Sequence, residues 1–540
     1  MTRRLLLWGI AAPSVAAAQT AVPNAAVSGT VKDKITGQPL ANYTVATSVK
    51  GRQKEATVTT DSSGRYKLAD LPPGTYRIAV RNGQHFGRES VRRTEVNGAD
   101  VEKFDFPIVV PAIVSGKVVD ENKEPVPDVM VRLIKREYYL GNVSYYYTPG
   151  GNRTNDLGEF TIEGVEPGRP YFLLAEKANY RLLAHSEVPL NPKLRKRVPV
   201  RTWYPNSAQR ESAEALILRP GEKREGIDIE LKKSPSYCVE GIAAGATGPS
   251  TMHLNVEATP PSNGSSSSGA SYSIMPNGPT EADGRFRVCD LYSGVYRFSV
   301  QEGEPNAMKG YGAMEITVVD QDLTGVRLNT LPAKTLAGEV MWDADPPATP
   351  VSAKAQVSIN PLFRTGFLGG RQDVPGPFTI EGVFADEYAV RVFFNAPGIY
   401  VKDVTFADRS VMYEALRPAT AMGEAGLRVV MARDGATLSV QVNDKDGNPG
   451  VDLWVLTIPA EVRSEGELAA RMEQGQTDQT GSYTTQSMPP GKYYVVAVAD
   501  PVDPTPESIG LLWLSRNRYQ EVTLPPSGSV QVKLQPGKIE

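Results

Sequence analysis

Apolar and polar residues alternate through most of the chain in short runs separated by glycine, proline, asparagine and aspartate, the pattern of strands with one buried face. The alternation is clearest over residues 59–80. A turn at Asp61-Ser62-Ser63-Gly64 precedes Tyr66 and Leu68, and Leu71 closes that run. Pro72-Pro73-Gly74 then turns the chain into a second run carrying Tyr76, Ile78 and Val80. Proline presets φ and glycine takes backbone conformations that a Cβ disfavours, so the stretch reads as strand, turn, strand. Two strands alone are marginal in water, which predicts a larger sheet with a partner layer.

The same unit returns four more times in fixed register. Gly64, Gly158, Gly284, Gly376 and Gly481 mark its first turn, and Tyr66, Phe160, Phe286, Phe378 and Tyr483 follow in the inward phase. Leu71, Val165, Leu291, Val383 and Met488 come next, and the second turn carries Gly74, Gly168, Gly294, Asp386 and Gly491. Tyr76, Tyr296, Tyr388 and Tyr493 open the second strand, with Tyr171 displaced by Pro170 in the second copy. A period of about a hundred residues matches a sandwich of immunoglobulin size and is far too long for a solenoid turn. Each copy also has an opening strand, as in Val27-Ser28-Gly29-Thr30-Val31, and two closing segments, as at 315–319 and 324–328. The pattern predicts an all-β chain, a tandem array of about five seven-stranded antiparallel β-sandwiches, immunoglobulin-like or prealbumin-like. Their expected bounds are 26–110, 111–233, 236–331, 334–433 and 435–536, the second and fourth ending in long connectors.

With 540 residues the chain exceeds what one core organises. A formal net charge of −3 gives no basic excess that would point to nucleic acid. The N-terminus reads differently: Arg3-Arg4 precede an apolar run over 5–17 that ends in Ala16-Ala17-Ala18, which predicts a secretory signal peptide at 1–18. That run is short for a membrane span, no cysteine follows it to carry a lipid, and no later stretch is long and apolar enough to cross a bilayer. The mature protein is therefore expected to be exported, to the periplasm, cell surface or medium, with no membrane span.

V-x-G-x-V, a Gly/Pro turn, T-D-x-x-G-x-Y/F and P-P-G-x-Y, clearest at 27–80, 114–172 and 438–498, together resemble the carboxypeptidase regulatory-like domain. That domain is a transthyretin-like β-sandwich, also similar to the B-type repeats of surface adhesins. The resemblance extends over nearly all of the mature chain. Asp386 in place of the turn glycine and the serine-rich run at 262–269 depart from it. It implies non-catalytic modules, and it prompts a search for metal because such domains can accompany a zinc carboxypeptidase.

The search finds no site. A carboxypeptidase zinc centre needs a His-x-x-Glu pair and a further histidine. His85, His185 and His253 fall in three different modules, and Arg88, Val188 and Val256 stand three residues after them. No Gly-x-Ser-x-Gly elbow follows a strand and no phosphate loop is present, so no cofactor is expected. Asp61-Ser62-Ser63-Gly64, Asn155-Asp156-Leu157-Gly158 and Asn443-Asp444-Lys445-Asp446-Gly447 each offer too few oxygens for calcium and read as ordinary turns.

Two features remain. Cys238 and Cys289 occupy the places of Ala26 and Ala69 in the first copy, out of phase with the buried set. Their side chains are expected outside the core on adjacent strands, forming a disulfide in an exported protein, the other outcome being two free thiols. Tyr138, Tyr139, Tyr145, Tyr146 and Tyr147 flank Gly141-Asn142 in a hairpin-like insertion. Exposed, they would form a platform for sugar rings or a partner surface; the alternative is a long hairpin with one face buried. The expected function is a non-catalytic binding or spacer array at the cell envelope, with envelope polysaccharide or another envelope protein as partner. The alternatives are a carbohydrate-binding protein using the tyrosine hairpin and an accessory subunit of an envelope enzyme or transport system.

Overall fold

The alternating runs fold into strands of paired sheets, and the first module shows the plan. Ala25–Asp33 lies between Arg65–Leu71, which is antiparallel to it, and Phe106–Ile108, which is parallel. The facing sheet runs Thr57–Thr59, Thr44–Val49, Gly74–Arg81, Val91–Val96. Val27, Val31, Val45, Tyr66, Leu68, Tyr76, Ile78 and Phe106 fill the space between. The inward phase read from the alternation is the phase that is buried.

The computed structural model describes residues 23–49, 56–81, 91–148, 150–177, 181–182, 189, 191–245, 248–258, 277–304, 307–344, 353–364, 366–394, 396–418 and 426–539. The expected signal at 1–18, His85, His185 and the run at 262–269 lie outside them. The chain divides into two compact units, one of Met1–Ser115, Thr161–Pro170 and Ile217–Gly226 and the other of the remaining residues, so the strands of the second module are shared between them.

The plan recurs in the second unit. In the third module Tyr237–Gly245 lies between Arg285–Leu291 and Leu323–Asn329. In the fifth Thr437–Val442 lies between Ser482–Thr484 and Ser529–Leu534. The fourth varies it, because Tyr400–Phe406 joins Leu427–Ala432 beside the opening strand instead of extending the facing sheet. One expectation is corrected. The sheets are mixed, not purely antiparallel, since the closing strand runs parallel to the opening one in each of these modules. The two closing segments are therefore not a hairpin: Gly310–Val318 pairs in the facing sheet, and the chain crosses over before Leu323–Asn329 returns beside the opening strand.

The repeated glycines follow from that crossover. A Cβ on Gly29, Gly116 or Gly241 would run into the carbonyl of Phe104, Ile227 or Val326 in the returning segment. At the first turn Gly64, Gly158, Gly284 and Gly481 have φ between +69° and +78°, where side chains are strained. Six residues after Gly64, Gly158, Gly284 and Gly376, Asp70, Gly164, Asp290 and Gly382 are also left-handed. Opposite three of them the register slips by one residue, between Ala25 and Val27, Tyr237 and Val239, and Lys334 and Leu336, so a β-bulge is built into the repeat. The buried second-strand tyrosine then closes the second turn. Tyr76, Tyr296, Tyr388 and Tyr493 donate through Oη to the carbonyl four residues back, at 2.7, 2.8, 3.2 and 2.8 Å.

Two helices in the fifth module were not expected from the alternation: α1, Glu465–Arg471, and α2, Pro506–Ser515. Ser464 Oγ accepts from Glu467 N, while Glu467 Oε2 accepts from Arg463 N, a variant of the capping box. Thr505 caps α2 and Pro506 occupies its first turn. Leu468, Ile509 and Leu512 cover the outer face of the sheet over Leu456, Ile458 and Val496, so Trp454–Pro459 is buried on both faces. Among the described residues no helix is long and apolar enough to cross a membrane.

Candidate functional site

The tyrosine insertion is a hairpin of Met130–Tyr139 with Asn142–Tyr147, turned by Leu140 and Gly141 at φ 48° and 72°. Two successive positive φ values match the right-handed twist of the strands. The pleat splits the tyrosines. Tyr145 and Tyr147 lie with Ile134, Phe172, Leu174 and Trp203 in a small apolar cluster. Arg210 stacks 4.4 Å over Tyr145 and Arg132 4.8 Å over Tyr147. Tyr146 takes the ammonium of Lys135 at 5.9 Å.

The tip of the hairpin is docked rather than free. Tyr138 packs against the helix-covered core of the fifth module, its hydroxyl donates to Glu465 Oε2 at 2.8 Å, and its amide donates to Pro504 O at 2.6 Å. Burial, reinforced by that bond and by the charges of Glu465 and Glu507, pushes the Tyr138 phenol up to about 12. Arg136 pairs with Glu507 of α2. Tyr139 Oη accepts from Arg391 of the fourth module at 3.4 Å. All five tyrosines are half-buried, and those at the tip bind other parts of the same chain. Their order in the sequence announced the hairpin, but nothing local to it announced partners more than two hundred residues away.

Gly466 sets how closely α1 approaches, because a Cβ there would run into the Gly141 carbonyl at the hairpin turn. Gly466→Ala is expected to weaken docking by about 1–3 kcal/mol, the range for overpacking. The check is hydrogen exchange of the Tyr138 amide, which should speed up about 5- to 150-fold, while amides in the first module stay unchanged.

A second cluster joins the second, third and fourth modules. Arg201 donates from Nε to Glu176 Oε1 at 2.6 Å and from Nη1 to the Ala258 carbonyl at 3.3 Å. Arg297, cross-strand from Glu257, donates to Asp386 Oδ1 at 2.9 Å, and Arg364 donates to Asp386 Oδ2 at 2.9 Å. The Asp386 side chain is 0% exposed. Arg297 stacks on Phe363 and Arg364 on Tyr311, while Tyr311 meets Phe384 edge-on. Burial pushes the Glu257 carboxyl up, against the pull of Asn255, Arg297 and Arg201. Asp386 stands where the other copies have a turn glycine, so the departure that loosened the fourth copy's pattern supplies the acceptor for two arginines. The change is visible in the sequence, but its arginine partners lie 22 and 89 residues away.

Cys238 and Cys289 are joined by a disulfide, with Cα atoms 4.1 Å apart. Both lie outside the apolar cluster of the third module, as their phase predicts, yet both are 0% exposed rather than at the surface. The second module contributes Arg181–Leu182 as a strand beside Val288–Cys289. Asp322 accepts from the Cys238 amide at 2.9 Å and from both terminal nitrogens of Arg195 at 2.7 Å.

His253 is exposed, and among the described residues no group of three or more His, Cys, Asp or Glu is arranged to hold a metal. The acidic turns spend their oxygens on their own backbones. Asp61 Oδ1 accepts from Ser63 N and Arg65 N, Asn155 Oδ1 from Leu157 N and Glu159 N, and Asp444 Oδ1 from Asp446 N and Asn448 N.

Residues 26–108 match the carboxypeptidase regulatory-like domain. The match to the carboxypeptidase regulatory-like domain covers the first module, whose turn glycine, bulge and closing tyrosine recur along the chain. A comparison with the curated proteins gave no match. Among solved structures, the Bacillus anthracis TIE protein is 10% identical, with 78% of this chain and 73% of that one covered at a TM-score of 0.17. The Streptococcal ancillary pilin is 12% identical, with 57% and 99% covered at 0.18. The major pilin subunit BcpA of Bacillus cereus is 10% identical, with 56% and 99% covered at 0.14.

Proposed function

We propose that the protein is a non-catalytic, exported array of β-sandwich modules that acts as a binding platform at the cell envelope. The observation that carries this reading is the closed circuit of contacts within the second unit. Arg201 ties the second module to the third, and Asp386 ties the third to the fourth. The Gly398 amide, donating to Ser487 Oγ at 2.8 Å, ties the fourth to the fifth, and Tyr138 ties the fifth back to the second. Tyr138, Tyr139, Arg201, Arg297 and Asp386 are engaged in holding modules together. A unit built this way presents several surfaces held by contacts between its modules, which suits multivalent attachment better than a flexible spacer.

Export and attachment are tested together by fractionation. The full-length protein is expected outside the cytoplasm and in the envelope fraction, and a variant lacking residues 2–18 is expected to remain inside. Cytoplasmic recovery of the full-length chain would refute the reading. A pull-down from envelope extract and a glycan screen then separate a protein partner from a polysaccharide.

A further inference from the structure

The second module's stretch between Pro170–Glu176 and Thr202–Trp203 carries Lys193-Leu194-Arg195-Lys196-Arg197. Asn191 starts a 3-10 turn at Pro192–Leu194, its side chain accepting from Lys193 N at 3.0 Å. Arg195 fixes the turn from below, with Nε donating to Pro189 O at 2.7 Å and both terminal nitrogens on Asp322. With Arg195 turned inward, its neighbours point out: Lys193, Lys196 and Arg197 are exposed, and Leu194 is 72% exposed.

This turn borders a basic surface. Val198–Pro199 pairs with Lys233–Ser234, and Arg197 donates to the Lys233 carbonyl. Around it Lys123 and Lys232 share Glu230, Lys233 pairs with Asp120, and Arg197 lies 3.6 Å from Glu121. Lys193 and Lys196, exposed on the adjoining turn, add two cations without a carboxylate partner at salt-bridge distance among the described residues, on a chain whose net charge is −3. The Lys123 and Lys232 ammonium groups pull Glu230 down to about 2, and Asp120 is lowered by the Asn122 amide and then by Lys233.

We infer that this face docks on an anionic phospholipid surface, the cations contacting headgroups and Leu194 entering the headgroup boundary. Charge complementarity alone would suit any polyanion. The fixed, protruding leucine amid the charges selects the bilayer, because a soluble polyanion offers it no apolar contact, whereas a membrane interface accepts both. The inference rests on the envelope reading only for the setting in which such a surface is met. Vesicle binding and export are measured separately, so either can fail alone.

The test is co-sedimentation of the full protein with phosphatidylcholine vesicles, with and without phosphatidylglycerol, at low and high salt. Binding is expected only with phosphatidylglycerol, and it should weaken as salt screens the charges. Lys193→Gln with Lys196→Gln should lower partitioning roughly 25-fold, and Leu194→Ser roughly tenfold. These side chains are exposed, so the melting curve of each variant should match that of the parent. Absence of vesicle binding, binding indifferent to all three substitutions, or capture by soluble polyphosphate without binding to vesicles would each overturn the inference.

Discussion

Asp386→Ala is expected to be the most damaging single substitution in the second unit, lowering its stability by about 3–5 kcal/mol, the cost of stranding buried charge. Asp386 is inaccessible and accepts from two guanidinium groups, Arg297 and Arg364, both largely buried. Its removal takes from two cations the carboxylate they share, in a site walled by Phe363, Tyr311 and Phe384. Asp386→Asn preserves shape and one acceptor but not the charge, so it should fall between alanine and the parent. Replacing all three charged residues together, Asp386→Leu with Arg297→Met and Arg364→Met, should recover most of the loss, because an apolar set of similar volume has no desolvation cost to offset. Trp342 is buried in the core of the fourth module, and its fluorescence in urea titrations reports the transition. An unchanged midpoint in Asp386→Ala would show that the joint is not held by this ion cluster.

Much of the fold was legible because a period of two leaves little freedom. The inward residues at the five copies of the strand-turn-strand unit are buried, Tyr483 alone only partly. What the period could not report was direction. A closing strand alternates in the same way whether it pairs parallel or antiparallel, and the mixed sheets appear only once the crossover is seen. The helices of the fifth module were partly legible. Ser464 with Glu467 and Thr505-Pro506-Glu507 are helix-start signals, hidden among strand runs on either side.

The candidate site was legible as residues and illegible as contacts. Five tyrosines around a tight turn mark a hairpin, but whether the rings of Tyr138 and Tyr139 at its tip meet solvent depends on Glu465 and Arg391, which are remote in sequence. Asp386 and Asp322 raise the same difficulty, since an aspartate in a turn is ordinary until an arginine from another module is found on it. Modules of this kind keep their cores in a repeating local code and their mutual arrangement in single exceptions to that code.

The second large effect is expected at the disulfide. Cys238 and Cys289 close a loop with a sequence separation of 51, and loop-closure entropy of that size corresponds to about 4 kcal/mol. The double replacement Cys238→Ala with Cys289→Ala should lower the stability of the third module by that order, without leaving a buried hydroxyl unpaired. The bond ties the opening strand to the strand after the first turn, next to the bulge, where register is least constrained by regular pairing. It also lies beside the Cys238 amide that anchors Asp322 and, through it, Arg195 of the second module. Its loss should therefore raise exchange at the Cys238 amide as well as in the module's own sheets. Because both sulfurs are inaccessible, a reductant should act only on the opened module, and its effect should appear in mild denaturant before it appears in buffer. Thiol titration of the unreduced, denatured protein should find no free thiol. Two thiols there would remove the bridge from the account and leave the bulge without its clamp, and rapid reduction of the native protein would show that the sulfurs are accessible.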